Sequence, residues 1–321
     1  MDQVRYLIVG AGVSGLAFAD GLGDRDYLVV EAESEIGGYC RTVRRDGFVW
    51  DYAGHFFHFR HPEIERDLVG RMGEQRVLRV ERQSRIWYAG RLIDFPFQKN
   101  IQQLPESEYE ECLAGLRQRP EEKGGSFKDM LYARYGRGIA EKFLVPYNEK
   151  LYATNLAALD ADAMGRFFPH ASLDEILAAP EKAKSEGYNA TFTYPEGGAI
   201  QYIEALASGV QGDRIALDER LTGIDIRAKI ATTTRREIRY ETVVSSAPLD
   251  CLLDLCGVGY DASVFSHNKV WVLNLGFDRK GPRGVHWIYY PQRDLSFYRV
   301  GFYDNIFGKR RMSLYVEVGL P

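Results

Sequence analysis

The sequence predicts an α/β protein of two domains, one of them assembled from separated stretches of chain. Three observations carry this prediction. The chain opens on a β–α–β pattern, a polar and helix-rich stretch then interrupts it, and the α/β pattern returns only after Tyr194. At 321 residues the chain is also too long for one ordinary core.

The elements follow in order. Tyr6 to Val9 is a short apolar β run, Val13 to Leu22 has helical spacing, and Tyr27 to Val30 is β again. Phe48 to Asp51 reads as a strand ending at Ala53-Gly54, and Ile64 to Met72 as a helix. Arg85 to Phe95 alternates as a hairpin does, with Ala89-Gly90 at the turn. The helix-rich stretch runs from about Pro105 to Ala179, broken by a linker at Pro120 to Gly125. Ser126 followed by Asp129 reads as a helix N-cap with an acidic third position, and Gly136 is expected to stop that helix. Pro146 and Pro169 punctuate the chain further on. Ala199 to Ser208 is amphipathic, and Ile215 to Leu217, Leu221 to Ala228 and Glu237 to Ser245 are strand-like. From Val270 to Val318 the chain is rich in alternating β residues. One domain is therefore expected from 1–85 plus 195–255. The other, 86–194 plus 256–321, combines a helical part with an antiparallel sheet.

Composition narrows the function classes. Apolar residues make up 45% and charged residues 27%, as in an ordinary soluble protein. The net charge of −4 offers no basic excess to neutralise phosphate backbones, so a nucleic-acid partner is not expected. No apolar run reaches the roughly 18 residues of a membrane helix. The stretch Tyr6 to Ala19 resembles a signal peptide only superficially, since it lacks a basic leader and is punctuated by glycines. Cys40, Cys112, Cys251 and Cys256 have no CxxC spacing and no histidine at ligand spacing. They read as reduced thiols of a cytoplasmic chain, and no metal site is expected.

Gly10-Ala11-Gly12-Val13-Ser14-Gly15 is a GxGxxG sequence directly after a β run and at the start of a helix. In that context it predicts a Rossmann-type dinucleotide site. Gly10 allows the tight turn, Gly12 lets backbone approach a pyrophosphate, and Gly15 lets helix pack on sheet. Val13 and Ser14 supply the first free amides of the helix. Glu31 ends the next strand, 21 residues after Gly10, where a carboxylate accepts from both ribose hydroxyls; Ala32 follows it.

The next residues distinguish the cofactor. Gly37-Gly38-Tyr39-Cys40-Arg41-Thr42 matches the GG-x-x-x-T segment of the amine-oxidase-like flavoproteins, and Gly47-Phe48-Val49-Trp50-Asp51-Tyr52-Ala53-Gly54-His55 matches their G-F-x-x-D-x-G-G-H, with Ala53 for one glycine. This resemblance implies FAD as the resident cofactor, with NAD(P)H as a visiting reductant. It adds Gly37, Gly38, Arg41, Thr42, Gly54, His55 and Leu221 to the cofactor candidates.

The middle of the chain is similar to the UDP-galactopyranose mutases in particular. Phe95-Pro96-Phe97-Gln98-Lys99-Asn100-Ile101 resembles their P-F-Q-x-N-I segment, whose Gln lies near the flavin. Phe143 to Ala153 resembles P-Y-N-x-K-x-W-A, with Tyr152 for Trp. Asn189-Ala190-Thr191-Phe192 through Gly197-Gly198 resembles N-A-T-F-x-x-P-x-x-G-G, His286-Trp287-Ile288-Tyr289 resembles their W-x-Y-F-P strand, and Phe297-Tyr298-Arg299 resembles F-Y-R. The resemblance runs from Met1 to about Asn305 and implies a nucleotide-sugar substrate.

On that resemblance Arg299 grips the substrate diphosphate and Arg166, offset by one position, is its second cation. Planar bidentate donors suit that task. Either arginine is otherwise a salt-bridge partner. Gln98 and Asn189 are substrate candidates. Trp287 and Tyr289 either line a sugar pocket or fill a core. His55 is expected at the flavin edge, where a histidine responds to redox state and moves protons. The resemblance further implies that reduced flavin itself is the nucleophile toward the sugar, with no Ser-His-Asp triad and no net redox change. Two departures stand. Ile306 occupies the register of a family tyrosine, with Tyr303 near but out of register. The family's C-terminal segment, which completes the flavin site, is absent before Pro321. Two alternatives therefore remain: an amine-oxidase- or desaturase-type oxidoreductase, and a catalytically incomplete FAD-binding fragment.

Overall fold

The computed structural model describes residues 1–120, 124–178 and 190–321. The chain divides into two compact units, Met1–Leu78 with Thr193–Ser266, and Arg79–Phe192 with His267–Pro321.

The first unit is built on a six-stranded sheet in the order Leu221–Asp225, Ile230–Thr233, Glu237–Ser245, Asp2–Val9, Tyr27–Val30, Ile215–Ala216. Asp2–Val9 runs parallel to both neighbours. Its end, Leu7-Ile8-Val9, is buried, as a strand covered on both faces requires. On one face Ile8 and Val29 pack with Leu16 and Ala19 of the helix Val13–Leu22 and with Tyr202, Ile203 and Leu206 of the helix Ile200–Ala207. On the other, Leu7, Val9, Leu28 and Ile238 pack against Leu252 and Leu255 of the helix Leu249–Leu255. Burying each of these large aliphatic side chains contributes roughly 1.5–3 kcal/mol.

The second unit holds a six-stranded sheet in the order Lys269–Phe277, Met312–Leu320, Arg299–Phe302, Trp287–Tyr289, Ser84–Tyr88, Arg91–Asp94. Its last two strands form the expected hairpin, and Ala89 and Gly90 both take positive φ, 48° and 76°, as a tight hairpin turn demands. One junction corrects the expectation of an antiparallel sheet: Trp287–Tyr289 pairs parallel with Ser84–Tyr88. These strands lie some 200 residues apart in sequence, so no hairpin dictates their direction.

The helical part contains Glu106–Arg117, Phe127–Ile139, the π-helix Ala140–Leu144 and Val145–Tyr152. The Ser126 cap is present as a reciprocal box: its Oγ accepts from the Asp129 amide at 3.1 Å, and the Asp129 carboxylate accepts from the Ser126 amide at 3.3 Å. Gly136 does not stop this helix. It kinks it, with φ 67° and ψ 167°, and helical bonding resumes at once. The cause is tertiary: a Cβ at Gly136 would stand 2.1 Å from the Gly115 carbonyl oxygen, so the helix approaches Glu106–Arg117 backbone to backbone. Pro146 interrupts nothing either: Leu144 and Val145 before it are already helical, and the π-helix Ala140–Leu144 runs straight into Val145–Tyr152.

Candidate functional site

In the first unit the strand Asp2–Val9 delivers the chain to Gly10, whose φ of 98° suits glycine. The helix begins directly over this turn, and a Cβ on Gly15 would lie 1.9 Å from the Gly10 carbonyl oxygen. Gly12 is the N-cap, yet no side chain caps the helix and its first turn has no acidic residue. Val13 and Ser14 are exposed there. The first-turn amides have no intrahelical partner, and the helix dipole adds positive potential, so the end is suited to an anion. Gly37 donates its amide to the Ala11 carbonyl at 2.9 Å, bringing the Gly37-Gly38 turn against Gly12.

Glu31 is buried at the end of Tyr27–Val30. Its Oε2 accepts from the Ala11 amide at 2.7 Å and its Oε1 from the Glu33 amide at 3.0 Å. Each oxygen keeps a further lone pair, enough to accept a ribose hydroxyl. Ala32 is half-buried beside it. Leu221 sends its side chain into the apolar layer and pairs with Thr233 on the next strand. Uncapped helix, glycine walls and a buried carboxylate together fit a dinucleotide.

The following segment is held by Asp51, which is fully buried. It accepts from Thr42 Oγ1 at 2.6 Å, the Tyr194 hydroxyl at 2.5 Å and the Ala199 amide at 3.0 Å. Burial pushes its carboxyl up to about 6 against these hydrogen bonds. Thr42 also accepts from the Ile200 amide at 3.1 Å, so its hydroxyl is committed within the fold. Arg41 donates Nε to the Gly38 carbonyl at 3.0 Å and rests over the Tyr52 ring. Gly54 and His55 are half-buried, with His55 Nδ1 3.1 Å from the Ala53 carbonyl oxygen.

In the second unit Trp287 and Tyr289 are both buried, and Trp287 Nε1 donates to the Tyr289 hydroxyl at 2.8 Å. The Tyr289 ring meets Phe95 and Tyr147 with centroids 5.0 and 5.2 Å apart. Gln98 is fully buried; its Nε2 donates to the Pro169 carbonyl, and its Oε1 has no partner among the described residues. Arg299 forms a bidentate pair with Glu317, Nε to Oε2 at 2.8 Å and Nη2 to Oε1 at 2.5 Å. The two stand directly opposite across paired strands, and Glu317 is 1% exposed. Burial opposes the Arg299 charge, but Glu317 holds it well above its usual value. Arg166 falls in the 3-10 turn Gly165–Phe167. Asn189 lies outside the described residues.

Sequence reasoning missed three groups. Glu317 had a signal, since an acid and Arg299 fall at alternating β positions on adjacent strands. Asp51 lies in the Gly47 to His55 segment, but its role needs Tyr194 and Ala199, nearly 150 residues away. His286 had none. Its Nδ1 accepts from the Gln83 amide at 3.0 Å, and burial holds the ring down at about 4.

A parallel sheet feeding a glycine-lined, uncapped helix beside a buried carboxylate defines a dinucleotide-binding protein. The chain belongs to the flavin containing amine oxidoreductase family, whose model matches residues 13–264. Among solved structures, a reduced UDP-galactopyranose mutase is similar with a TM-score of 0.88 and 25% identity, over 99% of this chain and 75% of its own. A putative protoporphyrinogen oxidase from Exiguobacterium sp. 255-15 shares the fold, with a TM-score of 0.75 and 21% identity, over 99% and 77%. Among curated proteins, protoporphyrinogen oxidase 2 of Arabidopsis thaliana is 40% identical over 62 residues, 19% of this chain and 12% of that one. Protoporphyrinogen oxidase 1 of Spinacia oleracea is 24% identical over 172 residues, 49% of this chain and 30% of that one. The matched stretches thus span less than a third of these curated relatives. Among the described residues no helix is long and apolar enough to cross a membrane, and no cluster of metal-ligating side chains occurs.

Proposed function

We propose that this protein is an FAD-dependent enzyme that interconverts the pyranose and furanose forms of a UDP-galactose-like nucleotide sugar. The observation that supports this most is the similarity to the reduced mutase over 99% of the chain, which takes in both units rather than the dinucleotide end alone.

On this reading the first unit is the FAD-binding domain. Gly10, Gly12, Val13, Ser14 and Gly15 meet the cofactor's diphosphate, Glu31 and Ala32 its ribose, and Leu221 offers backbone. Gly37, Gly38, Arg41, Gly54 and His55 lie toward the flavin, with Thr42 holding that segment through Asp51. Bound and reduced, the flavin would supply an electron-rich ring nitrogen toward a sugar carbon. The chain's own residues do the rest. His55 carries a titratable imidazole, Trp287 and Tyr289 form an aromatic wall, and the Gln98 Oε1 accepts a substrate hydrogen bond. Arg299, Arg166 and Asn189 are candidates on the substrate side, with Arg299 already committed through Nε and Nη2 to Glu317.

The test is conversion of UDP-galactofuranose by FAD-loaded protein, followed by chromatography. Conversion with dithionite-reduced protein, and little with oxidised protein, is expected. Stoichiometric flavin with no conversion in either state contradicts the reading. A second reading, a flavin oxidase of the protoporphyrinogen oxidase type, is supported by the curated relatives. It predicts oxygen consumption and rising porphyrin fluorescence with a porphyrinogen substrate, and no sugar conversion.

A further inference from the structure

We propose that Arg82, together with the Tyr289 hydroxyl, forms an anion-recognition site in the second unit that receives a phosphoryl group of the substrate. The proposal rests on the nucleotide-sugar reading for the source of the phosphoryl group, and on geometry for the site itself.

Other cations of the second unit have partners. Arg85 pairs with Asp94 at 2.5 Å, Lys142 with Glu111 at 2.7 Å, and Arg299 with Glu317 at 2.5 Å. Lys150 donates to the carbonyls of Gln292, Leu295 and Phe297 at 2.9, 3.2 and 2.7 Å. The Arg82 guanidinium has no hydrogen bond and no ion pair among the described residues. It is half-buried, with its carbon 4.9 Å from the centre of the Phe95 ring. Burial pulls it below its ordinary range, and Tyr289 nearby works the other way. A ring face offsets part of the desolvation of a cation and leaves its N–H groups free to donate. A half-buried guanidinium held at a ring face, with no carboxylate opposite it among the described residues, is available to an anion.

Its surroundings supply the rest of a site. Phe95 touches both Arg82 and Tyr289. The Tyr289 oxygen already accepts from Trp287 Nε1 at 2.8 Å, which leaves its O–H to donate elsewhere. A forked guanidinium and a phenol O–H on an aromatic wall suit two oxygens of one phosphoryl group. The mount is fixed: the Arg82 amide donates to the Ala190 carbonyl at 2.8 Å, and the next amide, of Gln83, donates to His286 Nδ1 at 3.0 Å. Ala190 directly follows Asn189, a substrate candidate in its own right.

The experiment is calorimetric titration of FAD-loaded protein with UDP and, separately, inorganic pyrophosphate at two salt concentrations. The variants are Arg82→Met, Arg82→Lys and Tyr289→Phe, with the exposed Arg310→Ala as control. Wild type is expected to bind both probes. Arg82→Met should weaken both at least tenfold and flatten the salt dependence, Arg82→Lys should restore part, and Arg310→Ala should change neither. If Arg82→Met fails to fold, Arg82→Lys and Tyr289→Phe carry the test, each expected to weaken both probes severalfold. Wild-type affinity for both probes in folded Arg82 and Tyr289 variants overturns the site while leaving the nucleotide-sugar reading intact. Pyrophosphate binding that depends on Arg82, without sugar turnover, upholds the site and removes that reading. Failure of wild type to bind either probe overturns the site.

Discussion

His286 is neutral in the fold because its Nδ1 accepts the Gln83 amide and burial disfavours a charged ring. Its folded pKa, about 4, lies below the ordinary value of 6.5. Between those values the unfolded chain binds the extra proton, so this contribution to stability is complete above about pH 6.5 and is lost as pH falls toward 4. The loss amounts to about 3 kcal/mol. Urea unfolding at pH 7.5 and 5 should therefore show a drop in wild type that is smaller in His286→Gln. Equal drops in both would remove His286 as the cause. The Arg299–Glu317 pair makes a second prediction at this scale. Glu317→Gln leaves a desolvated guanidinium half-matched, and should cost on the order of 3 kcal/mol. A shift of the unfolding temperature below a degree would place the pair among inert ones. Neither residue's environment is local in sequence. Gln83 and His286 are separated by 203 positions, so no periodicity announces them.

Elements set by nearby residues were legible. The Ser126–Asp129 box, the Ala89-Gly90 turn and the helix Val13–Leu22 depend on side chains within a few positions, and each appears as expected. Elements set by distant backbone were not. Gly136 reads as a stop, but it is a kink imposed by the Gly115 carbonyl, and the parallel pairing of Trp287–Tyr289 depends on a strand from the other end of the unit. Two variants separate these cases. Ser126→Ala removes a cap and should cost about 1 kcal/mol. Gly138→Ala puts a Cβ 2.6 Å from the Glu111 carbonyl oxygen, which helix backbones cannot relieve without separating. It should cost more than the cap, on the order of 1–3 kcal/mol, despite alanine's better helix propensity. A stabilised Gly138→Ala would show that the two helices do not approach so closely.

For the whole molecule, the discontinuous α/β unit was readable because cofactor recognition of this kind is backbone chemistry. It demands glycines at fixed spacing and an acid at the end of the next strand, and Gly10, Gly12, Gly15 and Glu31 answer in order. The anion recognition proposed for the second unit is written differently. Whether Arg299 or Arg82 is available to an anion depends on which carboxylate stands opposite, and Glu317 faces only the first. A sequence shows both arginines alike.

The most direct test of the account is FAD binding by wild type and Gly12→Val. Position 12 is informative because an added Cβ there meets only the Gly38 Cα, at 3.9 Å, so the variant is expected to fold. Its side chain would nevertheless occupy the space in front of the uncapped helix, where the cofactor diphosphate must approach. Titration of apoprotein with FAD, followed by flavin fluorescence, should give stoichiometric binding to wild type and at least a hundredfold weaker binding to Gly12→Val, with unchanged unfolding temperatures in the absence of FAD. Equal FAD affinity in the two proteins, or none in wild type, would contradict it.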